Sequence, residues 1–332
     1  LSDLIINSTD LSVGIVTRTK NRIVLLRRAL ESVKNQSHEN WILVIVNDGG
    51  DPAPVDRLVA SIFNTDSRVR IIHHPESKGM EAASNAGISA LDTDYAIIHD
   101  DDDSWAPEFL KVTTQTLIEK QKKFPSIRGI VTQLNSVFET VTANLIEIDR
   151  VEPWYAGQFD HLEEGFLSVQ KMLVRNQFPP IAFLFNLSIC KELGMFDSSL
   201  PVLGDWDFHT RFVLRHDIWV HPEYLAFYHH RTTATGAMGN TIHAGAHMHR
   251  AYRQILRNKW IRADLNGASG SNRMAMIIGM EIQDEIKTEF HQLNANIHAY
   301  NYHRPNYKSP FRQAISNGVR KLKYIIKGKK NV

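Results

Sequence analysis

The chain has 332 residues, 43% hydrophobic and 22% charged, with a formal net charge of +2, a balance that fits a globular protein with a sizeable core and gives no overall pull toward nucleic acid. A single cysteine, Cys190, excludes an internal disulfide framework and any multi-cysteine zinc site. No stretch approaches the roughly 18 apolar residues that a spanning helix needs, and the start, LSDLIINSTDLSVG, has no basic segment leading into an apolar one, so a reducing, cytoplasmic location is expected.

Over residues 12–99, short apolar runs alternate with helical spacing, the signature of βαβ units on a parallel sheet. Residues 12–16 (SVGIV) read as a buried strand, and Leu26, Leu30 and Val33 then recur at i, i+4 and i+7 and predict a helix with one apolar stripe. A second strand over 41–46 is ended by Gly49, Gly50 and Pro52. A helix over 55–63, a strand over 69–72, a helix over 81–91 and a strand over 95–98 complete the pattern.

After Pro107 the spacing of Phe109, Val112 and Leu117 predicts another helix, and the β-branched content of 128–148 predicts strands. Residues 151–165, with Pro153 and Gly157, read as a loop bordering a cleft, and order returns with the apolar run 181–187. Beyond about Asn240 the chain turns to charged, helix-favouring stretches. The expected organisation is therefore a domain over 1–239 and a helical extension over 240–332. Within the extension, His243 and His247 stand one helical turn apart without a nearby acid, which suits a solvated face better than a metal site.

The last 22 residues carry Arg312, Arg320, Lys321, Lys323, Lys327, Lys329 and Lys330 without an acidic residue, interleaved with Val319, Leu322, Tyr324, Ile325 and Ile326. Such a segment suits peripheral contact with an anionic membrane, where each basic residue contributes about 1 kcal/mol. Docking on the preceding domain and self-association into a homo-oligomer suit it equally. Nucleic acid is not an expected partner, because no recognition motif accompanies the charge.

Asp100, Asp101, Asp102 and Asp103 directly follow the fourth strand, at the carboxyl end of a parallel sheet, where open α/β folds bind ligands. Carboxylates about 4 Å apart repel by roughly 1 kcal/mol in water and about 4 kcal/mol at the effective dielectric of a cleft. A cation turns that penalty into attraction, and hard oxygens suit magnesium or manganese with positions left for phosphates. Alternation along an extended backbone would place Asp100 and Asp102 on one side, Asp101 and Asp103 on the other. The plainer alternative is a solvated acidic turn in which Asp103 caps the next helix. Asp205 and Asp207 open a further helix marked by Phe208 and Phe212, where helix capping competes with a chemical role.

Five segments then stand in order: TKNR (19–22), NDGG (47–50), SKGMEAASNAG (77–87), IIHDDDDSWAP (97–107) and GMFDSSLPVLGDWDFHTRF (194–212). Together they resemble the family 2 glycosyltransferases, across residues 12–230. The resemblance implies a GT-A type α/β fold, with a mixed, mainly parallel sheet and helices on both faces. It further implies metal-dependent, inverting transfer of a sugar from a nucleotide-diphospho-sugar, a UDP-sugar by expectation, to a glycan or lipid-linked acceptor, as in bacterial surface polysaccharide assembly.

Residue by residue, the resemblance implies that Asp48 accepts a hydrogen bond from the nucleotide base, an Asx turn being the local alternative. Thr19, Asn21, Arg22, Gly79 and Asn85 would line the nucleotide-sugar pocket, and Asp100, with Asp101 beside it, would hold the ribose. Asp102 would bind the divalent metal (Mn2+ or Mg2+), with Asp103 and His230 as further ligand candidates; strand alternation sends only one of His229 and His230 inward, and His230 is favoured slightly. Arg231 would meet a phosphate. Asp205 would be the base that takes the acceptor proton, work worth about 10² to 10⁴ in rate, while the metal acts as Lewis acid and template. Trp206, Asp207 and His229 fall in acceptor-side or supporting positions.

Three positions depart from the pattern. Gly204 stands where a glutamate precedes the catalytic aspartate, Lys20 where an aromatic that stacks on the base is common, and Ser84 where arginine is frequent. Two other functions share part of the pattern. A metal-dependent phosphoesterase uses dense aspartates without a base-binding acid, and a catalytically silent nucleotide-sugar-binding module would tolerate the loss at Gly204.

Overall fold

The computed structural model describes residues 10–141, 145–154, 164–231 and 246–266, with scattered positions between 279 and 294. The basic tail, His243 and residues 155–163 of the expected loop lie outside the described residues. The chain divides into two compact units, Leu1–Met274 and Ala275–Val332; the sheet and the helices named below belong to the first.

Strand β1 (Val13–Thr19) is flanked in parallel by β2 (Trp41–Asp48) and β4 (Tyr95–Ile98), and β3 (Val69–His74) adds to β2. Leu43, Val44, Ile45, Val46 and the whole of β4 are buried, the unbroken apolar run that a strand covered on both faces needs. Three crossover helices join these strands: α1 (Ile23–Lys34), α2 (Pro52–Phe63) and α3 (Met80–Ser89). Helix α1 buries Leu25, Leu26, Ala29, Leu30 and Val33. Helix α2 starts at Pro52 behind Asp51, whose carboxylate accepts from Ala53 N at 3.1 Å. Both β1 and β2 outrun their apolar segments, because Thr19 still pairs with Asn47. A strand's polar end leaves the hydrophobic pattern without leaving the ladder.

Beyond β4 the sheet changes character. After β5 (Ser104–Trp105) and helix α4 (Phe109–Lys123) come the long β6 (Ile127–Val141), then β7 (Ile146–Pro153), β8 (Gly165–Phe166) and β9 (Phe183–Asn186), with β10 (Asp217–His230) closing the set. Strand β9 runs antiparallel between β4 and β6, and β6 pairs in parallel with β10. Six of the ten strands, β1–β4, β6 and β10, therefore point the same way. The loop expected from residue 151 onward begins later, since Val151 pairs with Val137 and Pro153 with Asn135. An exposed edge strand ending in proline reads like a loop in composition.

The remaining helices are α5 (Val169–Val174), α6 (Leu187–Glu192), α7 (Gly204–Val213) and α8 (Ala246–Asn266). Helix α8 is part of the sheet-bearing unit and packs into it: Leu256 is fully buried, Arg257 donates to Val174 O at 2.7 Å and the Trp260 ring meets Trp206 edge-on at 5.0 Å. Among the described residues no helix is long and apolar enough to cross a membrane.

This topology gathers the site. Because β1, β2, β4, β6 and β10 share one direction, Thr19, Asp48, Asp100, Glu139 and His230 all stand toward the carboxyl edge of the sheet. Close packing sets the floor beneath it: a Cβ on Gly87 of α3 would run into both methyls of Val16, the farther at 2.9 Å. Gly87→Ala is expected to cost about 1–3 kcal/mol through overpacking, read as a lower urea midpoint; an unchanged midpoint would show that α3 does not press on β1.

Candidate active site

The four aspartates leave β4 in a turn, with Asp103 N donating to Asp100 O at 3.2 Å. Backbone alternation therefore does not order them, yet their burial alternates. Asp101 and Asp103 are enclosed at 0% and 1% exposure, whereas the side chains of Asp100 and Asp102 keep 22% and 14%.

Arginines sit between the carboxylates. Arg18 of β1 pairs with Asp100, its Nε donating at 2.9 Å. Arg22, at the entry to α1, donates Nε to Asp101 at 3.1 Å and Nη1 to Asp102 at 3.3 Å. Arg231, directly after β10, pairs with Asp102 and reaches Glu139 at 3.3 Å. Arg28 of α1 donates to the Asp102 carbonyl and to Glu139 of β6. His229 completes the ring: its backbone N donates to Asp103 at 3.0 Å, its Nδ1 lies 2.7 Å from Glu139 and its Nε2 2.9 Å from Ser104 Oγ. Burial lowers the His229 pKa, so the neutral ring donates through Nδ1 and accepts the Ser104 hydroxyl at Nε2.

The network sorts the acids by charge. Burial pushes Asp101 up to about 6 against the pull of Arg22, and burial together with the charges of Asp102 and Asp100 raises Asp103 further. At Asp102 burial also opposes ionisation, but Arg22 and Arg231 outweigh it and hold the carboxyl below its usual range. Glu139 follows the same logic, held at about 2 by His229 and Arg28 despite its burial.

Asp48 is engaged by its own chain. Its Oδ1 receives His74 Nδ1 at 2.8 Å and Lys78 N at 2.9 Å, and its Oδ2 receives the Ser77 hydroxyl at 2.7 Å and Gly79 N at 3.0 Å. Four acceptor positions are thus filled, and the carboxylate holds the Ser77–Gly79 turn. Gly79, at φ +94°, leads that turn into α3. Asn21 accepts from Asp51 N at 3.1 Å and ties the β1 loop to the β2 loop. Thr19 is buried at the end of β1. Asn85 bonds both ways to the backbone of Phe196, at 2.8 and 3.0 Å, a distance along the chain that no local pattern shows.

Asp205 lies in the first turn of α7. Leu203 occupies the helix N-cap position at φ +65°, so neither aspartate is the cap residue. Asp205 accepts from Trp206 N at 2.8 Å and from Asn176 Nδ2 at 2.7 Å, and burial raises its pKa to about 6. Trp206 is 1% exposed and donates to Met172 O at 2.6 Å. Asp207 accepts from Arg211 Nε at 2.7 Å and from Trp260 Nε1 at 3.5 Å, joining α7 to α8. Both side chains are buried.

The metal candidates do not converge. Asp103 is turned onto the His229 backbone, and His230 sits 3.2 Å from Ser136 Oγ with its ring stacked on Phe138 at 4.9 Å. It is His229, not His230, that turns into the aspartate network. Among the described residues no group of three or more His, Cys, Asp or Glu side chains is placed to hold an ion. Of the expected set, Asp102 is the one partly exposed and held in its ionised form. One carboxylate with phosphates and waters is an ordinary magnesium arrangement, so the site fits a cation brought in with a diphosphate.

Residues outside the sequence expectation complete the site: Arg18, Arg28, Ser104, Glu139, Asn176 and Glu81. Glu81 of α3 is 5% exposed, its Oε2 3.7 Å from Arg18 Nη1, and burial raises its pKa from the ordinary 4.5 to about 7, with Asp205, Asp100 and Asp207 adding to the rise. A lone arginine in an apolar strand and a glutamate on the buried stripe of a helix were the available signals.

Glu81 and Asp205 both bind protons more tightly folded than unfolded. Their contribution to stability is full below the unfolded values near 4 and is lost as pH rises toward 7. Burial lowers the pKa of His99 and His209, which gain stability over the same pH window, so the Glu81 contribution is read as a difference: the melting temperature of Glu81→Gln relative to the wild type is expected to rise by several degrees between pH 5 and pH 8. An unaltered pH slope in the variant would contradict the burial of that charge.

Residues 14–142 match the family described as glycosyl transferase family 2. The uncharacterized glycosyltransferase YwdF of Bacillus subtilis is 26% identical over 202 residues, which is 60% of this chain and 68% of that protein. WcaA of Escherichia coli, named a putative colanic acid biosynthesis glycosyl transferase, is 33% identical over 100 residues, 30% of this chain and only 36% of WcaA. Two solved structures share the fold. S. aureus TarS 1–349 in complex with UDP aligns with TM-score 0.52 and 12% identity, over 79% of this chain and 74% of that one. The mannosyltransferase PcManGT of Pyrobaculum calidifontis, in complex with GDP-Man and Mn2+, aligns with TM-score 0.50 and 15% identity, over 95% and 88%.

Proposed function

We propose, from the match of residues 14–142 to glycosyl transferase family 2, that this GT-A chain transfers a sugar from a nucleotide-diphospho-sugar, of the UDP type, to a hydroxyl of a glycan or lipid-linked acceptor in surface polysaccharide synthesis. One observation carries the reading. A carboxylate of raised proton affinity, Asp205, shares the sheet's carboxyl edge with two accessible aspartates set among guanidiniums. The relatives support it: WcaA is named for colanic acid, and the fold's neighbours hold UDP or GDP-Man.

Asp205 is ionised at neutral pH yet basic enough to accept a proton, the compromise that general-base work asks for. Asn176 and the Trp206 amide hold its two oxygens, which aims the carboxylate at the acceptor hydroxyl. As that proton passes to Asp205, the acceptor oxygen attacks the anomeric carbon opposite the diphosphate, and the sugar is transferred with inversion. Arg22 and Arg231 line the departing side, where their charge meets the phosphates. Bound through Asp102, a divalent cation would supply Lewis acidity to the leaving diphosphate.

Asp205→Asn is expected to lower transfer at least 100-fold while leaving UDP affinity within about twofold; turnover at the wild-type rate would remove Asp205 from the chemistry. Asp102→Ala is expected to abolish the manganese-dependent part of thermal stabilisation by UDP. Equal loss in manganese and in EDTA would argue against a ligand role.

A further inference from the structure

Gly204, at the start of α7, has no side chain, and its place is taken. A Cβ built there falls on the carboxyl group of Glu81 and lies 2.7 Å from its Cγ. Glu81 reaches this point from α3, more than a hundred residues earlier in the chain. Its Oε2 is buried without a hydrogen-bond partner, the nearest cation being Arg18 at 3.7 Å. An unsatisfied buried carboxylate oxygen costs stability, and such groups are kept where a ligand completes them.

Ser84, one helical turn after Glu81, shows the same substitution in space. Its small side chain leaves room for Arg18, whose Nη1 donates to Ser84 Oγ at 3.1 Å. Both positions where the sequence lacks an expected charge thus receive one from another element: arginine from β1 beside Ser84, carboxylate from α3 beside Gly204. The groups facing Glu81 are Arg18 of β1, Asp100 after β4, and Asp205 and Asp207 of α7.

We propose that Glu81 is the acceptor-side carboxylate of the active site, standing where a side chain at position 204 would stand and presenting Oε2 to a hydroxyl of the acceptor beside Asp205. The inference rests on the transferase reading above. It gives the site two carboxylates with separate tasks, Asp205 receiving the proton of the attacking hydroxyl and Glu81 accepting a hydrogen bond from a neighbouring one. Glu81 forms and breaks no covalent bond. Such an arrangement selects acceptors with two adjacent hydroxyls.

Four variants test it: Glu81→Gln, Glu81→Ala, Gly204→Glu and the double variant Glu81→Ala/Gly204→Glu. Melting temperature reads the shared space independently of activity. Gly204→Glu alone is expected to lower it by several degrees, and the double variant to recover most of that loss. UDP-glucose and UDP-GlcNAc serve as donors and alkyl glycosides as acceptors, with UDP release measured with and without acceptor. Glu81→Gln is expected to raise the acceptor KM about tenfold or more while UDP affinity and acceptor-free donor hydrolysis stay within about twofold, and the double variant to transfer at least tenfold faster than Glu81→Ala. Wild-type transfer by Glu81→Gln would overturn the proposal. So would a fall in UDP affinity in step with transfer, which would make Glu81 only an anchor for Arg18. So would a double variant no more stable than Gly204→Glu. Should the wild-type chain release UDP from neither donor, the transferase reading fails instead, and the melting cycle alone decides whether positions 81 and 204 share one side chain's space.

Discussion

Four consecutive carboxylates can crowd one strand end only if cations stand among them, and here the cations are guanidiniums. They come from three parts of the fold: Arg18 from β1, Arg22 and Arg28 from the entry and the body of α1, and Arg231 from just beyond β10, with Glu139 of β6 and His229 of β10 closing the ring. The ring joins the parallel half of the sheet to its mixed half at the edge where the ligand is expected. Deleting one partner would leave a buried charge uncompensated, a loss of about 3–5 kcal/mol in comparable sites. The network is therefore as much a structural constraint as a functional one, and its geometry limits what the site can bind.

That constraint explains the division among the aspartates. Asp101 and Asp103 turn inward and hold the turn, while Asp100 and Asp102 remain accessible. Arriving phosphates would find guanidiniums already oriented, so little reorganisation is left for the reaction itself. Across the edge, Asp48 does comparable work on the Ser77–Gly79 turn, spending both oxygens on it. On the side proposed for the acceptor, the first turn of α7 lies against α3 where Gly204 has no side chain.

Much of this was legible in the sequence because it is local. Strands β1 to β4 announce themselves as apolar runs, α1 as a stripe at i, i+4 and i+7, and the acidic run by its place after a strand. The rest depends on partners far apart in the chain. Arg18 and Asp100 are 82 positions apart, Arg28 and Glu139 111, and Arg231 and Asp102 129. No periodicity reports such pairings, although an arginine inside an apolar strand hints that a buried acid awaits it. Strand alternation sends only one of His229 and His230 inward without choosing between them; His230 is slightly favoured in the sequence, and the fold places His229 on Glu139. The gap at Gly204 was visible as an absence; only the fold shows that Glu81 fills it.

The central claim is that the edge built from Asp100, Asp102 and their arginines receives a nucleotide diphosphate. A crystal structure of the chain with UDP and manganese tests it most directly. The account predicts the ion on Asp102, the diphosphate beside Arg22 and Arg231, and the uridine over the ends of β1 and β2. A diphosphate bound away from this edge, with the arginine–aspartate pairs undisturbed, would contradict it.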